Sequence, residues 1–142
     1  EDEKLIESLL NIMHENEADF TLTFRWLCDA AFDKKNNKNL QNLFKDAGAY
    51  DNWSESWRSR LSRESASPEE REKLMGNVNP AVIPRNHRVE QALNAAVENL
   101  DFGPFERLVD VLSSPYEEMK EKDEFMLPPK PGEHILQTFC GT

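Results

Sequence analysis

The chain has 142 residues, enough for a single real core, and carries 27 acidic against 17 basic side chains for a formal charge of −10. A surface of that sign repels phosphodiester backbones, which argues against wholesale nucleic-acid binding, and no apolar run is long enough to cross a bilayer. Mean hydropathy is −0.74, yet three Trp and eight Phe are too many large apolar groups for a disordered chain.

The first stretch, DEKLIESLLNIMHE, places Leu5, Ile6, Leu9, Leu10 and Met13 at helical spacing. Asp19 is a cap for a second helix running to Phe32, with Phe20, Phe24, Leu27, Cys28, Ala31 and Phe32 on its apolar side. KKNNKN (34–39) reads as a solvated turn. A short helix from Asn39 would hold Leu40, Leu43 and Phe44 and end at Gly48. Asp51 would then cap NWSESWRSRLSRES, where Trp53, Trp57 and Leu61 form an i, i+4, i+8 stripe beside Arg58, Arg60 and Arg63. Such a stripe either stacks bases or, as is usual at this spacing, faces a core.

Ser67, Pro68, Glu69 and Glu70 are a strong helix start, and Gly76-Asn77 a stop. Pro80 and Pro84 interrupt the next residues. Helical spacing resumes at Arg85 with Val89, Ala92, Leu93, Ala96 and Val97, and again after Asp101 and Pro104 with Phe105, Leu108, Val109 and Leu112. Beyond Pro115 come the charge run EEMKEKDEF, the prolines of PPKPG and a last apolar patch, HILQTF. No β-alternation of useful length occurs. The spacing therefore predicts an all-α fold: a compact bundle of about six helices over 1–115, then an extended, partly irregular tail over 116–142.

Few residues offer chemistry. His87-Arg88-Val89 with Asn94 imitates a protein-kinase catalytic loop, but valine replaces the carboxylate that would orient a hydroxyl. His14, His87 and His134 lack metal-ligand spacing, and the five glycines form no phosphate-binding loop. Cys28 sits among apolar neighbours as a small hydrophobe. Cys140, the third residue from the end, is either a reactive thiol in an accessible tail or the last apolar contact of a docked one. Two cysteines so far apart suit a reducing compartment. The acidic start is no signal peptide, and the missing Met predicts a processed or excised piece.

GNVNPAVIPRNHRVEQALNAA, with FERLVDVLSSPYEE, LPPKPG and the terminal CGT, resembles the carboxy-terminal region of the selenoprotein O (YdiU) family. The likeness is best over 75–142 and looser over ADFTLTFRWLCDA and WSESWRSRLSRE. The family's members are protein adenylyltransferases of kinase-like fold that move AMP from ATP to protein hydroxyls. The resemblance implies that 1–115 is a helical C-terminal domain of a larger enzyme, with no catalytic, cofactor-binding or metal residue among these positions. ATP and Mg2+ or Mn2+ would be bound upstream. It implies as partners an upstream kinase-like domain of the same polypeptide and that enzyme's protein substrates, with no nucleic acid and no membrane. The implied location is the bacterial cytoplasm, or the mitochondrion in a eukaryote.

Four positions of the motif, Asn79, Pro80, Arg85 and Asn86, and the terminal Cys140 map onto the family pattern. Cys140 is thereby implied to be redox-active. Asn79, Arg85 and Asn86 either contact the catalytic region or satisfy backbone groups where the prolines break the helices. Pro84, the missing tryptophan-glycine after the prolines and the CGT ending depart from the family pattern. A second function class stays open, an independent helical module that binds a partner protein without catalysis.

Overall fold

A computed structural model describes residues 1–117 and 123–135. Among them the chain is all-α: α1 (Asp2–Asn16), α2 (Phe20–Phe32), α3 (Lys38–Leu43), α4 (Ala47–Leu61), α5 (Pro68–Gly76), α6 (Asn86–Asn99), α7 (Gly103–Ser113) and α8 (Asp123–Met126), with no strand. They group into two compact units, Glu1–Asn79 and Pro80–Thr142.

In the first unit α2 packs on α5, α1 on α4 and α3 on α4. The core joins Leu9, Met13, Leu27, Ala30, Ala31, Leu40, Phe44, Tyr50, Trp53 and Trp57. The tryptophan stripe is therefore interior: Trp53 and Trp57 stack with centroids 5.5 Å apart, and Trp53 Nε1 donates to Leu5 O at 3.0 Å. Burying the indole N–H is tolerated because it has that partner. The caps follow the sequence at two helices. Asp19 accepts from Leu22 N at 2.8 Å, and Ser67 and Glu70 form a reciprocal capping box at α5.

Several local expectations fail here. Gly48 does not end α3, which stops at Leu43; it lies in the first turn of α4, capped by Asp46 rather than Asp51. Gly48 N donates to Asp46 Oδ1 at 2.9 Å, and a Cβ on Gly48 would stand only 3.1 Å from that oxygen. The glycine is what allows the carboxylate so close. KKNNKN is exposed, as a solvated turn would be, except at Asn37, and it is a 3-10 turn over Lys34–Asn37 running into α3. Asn37 Oδ1 accepts from the buried Tyr50 hydroxyl at 3.0 Å and from Arg58 Nη2 at 2.8 Å. Burial pushes the Tyr50 phenol up to about 12. Phe20 and Phe32, expected on the apolar side of α2, are exposed, as are Ile6 and Leu10 on α1.

The second unit is a hairpin of α6 and α7 with Val82, Ala92, Leu108, Val111 and Phe125 at its centre. Pro115 O accepts from both Ala81 N and Val82 N, at 2.7 and 3.2 Å, which ties the proline-interrupted segment to the end of α7. The charge run hides a short helix. Phe125 of α8 is buried, and the guanidinium groups of Arg88 and Arg107 lie over its ring, 5.7 and 5.5 Å from its centre. Arg88 Nη2 also donates to Glu124 O at 2.8 Å.

Leu40 is fully buried beneath α4. We expect Leu40→Ala to lower the unfolding free energy of the first unit by ~2–5 kcal/mol in urea titrations, and Ser67→Ala, which removes only a cap, by ~1 kcal/mol.

Candidate functional site

The sequence motif from Asn79 to Asn86 is the natural place to look for a site, and the structure distributes it over both units. Asn79 ends the first unit. Its backbone N–H and its Nδ2 both donate to Met75 O, at 3.0 and 2.9 Å, and Nδ2 also faces Cys28 Sγ at 3.9 Å. From α2, Arg25 Nη1 donates to Asn79 O at 3.0 Å and to Gly76 O at 3.2 Å. Arg25 is itself buried. Together these bonds satisfy the carbonyls left over at the end of α5. Cys28, 2% exposed, donates its thiol to Phe24 O at 3.4 Å.

Pro80, Arg85 and Asn86 belong to the second unit. Arg85 is the N-cap of α6: its carbonyl accepts from Arg88 N and Val89 N, its N–H donates to Ile83 O, and its side chain is buried. Asn86 opens the helix and is exposed. Asn79 and Asn86 thus make their contacts in different units.

A cleft of about 280 Å³ opens beside this start of α6, lined among others by Arg85, Asn86, His87, Pro129, Glu133 and His134. His87 is 4% exposed, and its Nδ1 meets no hydrogen-bond partner among the described residues. Burial, and next the charge of Arg88, holds its imidazole below the usual histidine range, with Glu133 pulling the other way. Glu133 is held low mainly by the N–H of Lys130, 2.9 Å from Oε2. The cleft therefore presents a neutral imidazole near an ionised carboxylate.

The arginines beside the tryptophan stripe are committed elsewhere. Arg58 stacks on Trp57 and donates to Ala30 O at 3.1 Å. Arg60 pairs with Asp2 at 2.7 Å, and Arg63 with Glu1. The rings a nucleobase would need are buried. Among the described residues no group of three or more His, Cys, Asp or Glu is placed to hold a metal ion, and no helix is long and apolar enough to cross a membrane. Cys140 lies outside the described residues.

The family described as protein adenylyltransferase SelO matches residues 1–113. The chain belongs to the SelO family. Relatives carry the name protein nucleotidyltransferase YdiU. The one from Rhizobium meliloti (strain 1021) is 51% identical over all 142 residues, and that from Rhodopseudomonas palustris (strain BisB5) 47% over the same span. The one from Maridesulfovibrio salexigens is 46% identical over 140 residues, 99% of this chain. This SelO chain spans 28–29% of the length of these relatives.

Reading the sequence missed the two residues that organise the surroundings of the motif, Arg25 and Phe125. Arg25 is buried in the middle of α2, and nothing local marks its targets more than fifty positions on. Phe125 was hidden by the charges around it.

His87 gives this SelO chain a signature. Because its folded pKa is depressed, the unfolded chain takes up the proton first as pH falls. Stability is full above about 6.5, the ordinary histidine value, and is lost as pH drops from there through the lower folded value. The lowered carboxylates Glu1, Asp2, Glu17 and Glu133 titrate below 4.5 and leave that window alone. Urea midpoints measured by circular dichroism should fall between pH 7 and pH 5, and His87→Gln should flatten that fall.

Proposed function

We propose that this chain is the helical carboxy-terminal part of a SelO protein adenylyltransferase, bracing a kinase-like catalytic region of the same polypeptide and bringing it a redox-responsive cysteine, Cys140. The observation that carries the reading is the end-to-end match. All 142 residues align with a protein nucleotidyltransferase and fill 29% of its length. In this reading the parent transfers AMP from ATP to hydroxyl groups of protein substrates, using Mg2+ or Mn2+, in the cytoplasm of a bacterium or the mitochondrion of a eukaryote.

The residues described here do not fit a nucleotide or metal site. No metal-holding cluster is among them, and the glycines are dispersed. Their part is mechanical: Arg25, Asn79 and Arg85 hold backbone at the interruption between α5 and α6. The carboxy-terminal placement is supported by the run from Gly76 to Ala96 and the CGT ending.

Two measurements test this. Incubated with labelled ATP and a divalent cation, the full-length parent should label protein and the 142-residue chain alone should not; AMP transfer by the chain alone would refute the division of labour. Peptide mapping of the oxidised parent should find Cys140 in a disulfide, and Cys140→Ser should abolish both that species and any difference in activity between oxidised and reduced enzyme. Cys28, buried and bonded within α2, should stay unmodified in the native state.

A further inference from the structure

The α6–α7 hairpin is apolar on two sides. One side supplies Ala92, Leu108 and Val111 to the core. The other leaves Leu93, Val97 and Leu100 of α6 and its end, and Phe102, Phe105 and Val109 at α7, in solvent. Val97 and Leu100 are 79% and 78% exposed. At i, i+4, i+7 on one helix and i, i+3, i+7 on the other, these residues flank the connection between the two helices and form a patch rather than scattered exceptions. A helix that is apolar on more than its core face is a buried helix whose cover is missing.

Leu100 adds an independent sign. It ends α6 in the left-handed conformation, φ 53° and ψ 28°, where glycine or asparagine is the easy choice. A leucine there bears a backbone cost that its side chain, 78% exposed, does little to offset among the described residues.

The rim decides what the contact is. Glu98, Asp101, Glu106 and Asp110 surround the patch and are exposed, while Arg107 is paired with Glu124 at 2.9 Å. Two copies meeting through this face would bring like charges together, which disfavours self-association. Relatives that contain the whole of this chain are more than three times as long.

We infer that the outer face of the α6–α7 hairpin is the seat of an apolar, basic-rimmed segment belonging to the part of the parent polypeptide outside these 142 residues. The inference rests on the reading of the chain as part of a longer SelO protein, and it adds which face is covered and by what chemistry. The cover strips water from the six apolar side chains, relieves the cost at Leu100 and neutralises the acidic rim.

The test is photo-cross-linking in the full-length parent with p-benzoylphenylalanine at Val97, a position exposed enough to accept it, followed by mass spectrometry. The expected product is an intramolecular link to an apolar stretch outside these 142 residues with Lys or Arg beside it. The same link should weaken severalfold when Glu98 and Asp101 are both changed to Lys. A link between two copies, a link back into these 142 residues, or no link at all overturns the inference. The measurement needs no ATP, so an inactive parent would refute the adenylyltransferase reading and leave this result standing, while an active parent with an uncovered face would do the reverse.

Discussion

Three arginine side chains hold the helix ends of the first unit. Arg25 donates to the last carbonyls of the α5 region, Arg58 to Ala30 O near the end of α2, and Arg71 to Ala31 O, Leu61 O and Ala66 O. Each helix leaves its final carbonyls without intrahelical partners, and the end of its dipole is negative. A planar guanidinium answers both needs at once, offering several donors and a positive charge. Around those contacts the aromatic core closes: Arg58 lies over Trp57 and shares Asn37 with the Tyr50 hydroxyl.

That commitment also explains the surface. With 17 basic residues against 27 acidic ones, a chain that places several arginines into its own backbone has fewer cations outside, and those of α4 are engaged by Glu1 and Asp2. What faces solvent is strongly acidic. The acidic excess of the sequence, which first argued against nucleic acid, is thus sharpened at the surface by the arginines that the fold draws onto its own backbone.

Much of the fold was legible because its signals are local. Asp19 and Ser67 cap the residues that follow them, and the spacing of Trp53 and Trp57 fixes a face whatever it packs against. What failed depended on partners far along the chain. Asn37 looked like surface because Tyr50 and Arg58 are not its neighbours in sequence. Gly48 was read as a stop because its use, room for the Asp46 carboxylate, is a matter of a few tenths of an ångström. The motif residues were found as residues, but their division between two units is invisible in a string of letters. The apolar residues of α6 and α7 were correctly placed on helices, but periodicity does not tell that Ala92 and Leu108 are buried while Leu93, Val97, Phe105 and Val109 face solvent.

The aromatic core has a practical side. Trp26, Trp53 and Trp57 are all the tryptophans of the chain, and every one lies in the first unit. Indole fluorescence is therefore a private signal of that unit. The stacked pair should dominate its emission, with Trp53 anchored to Leu5 O. The second unit, whose described aromatic side chains include Phe125 and Tyr116 but no indole, is dark at those wavelengths. Denaturation followed by fluorescence and by far-ultraviolet dichroism would report different bodies, and any gap between the two curves measures how independently the halves of this chain come apart.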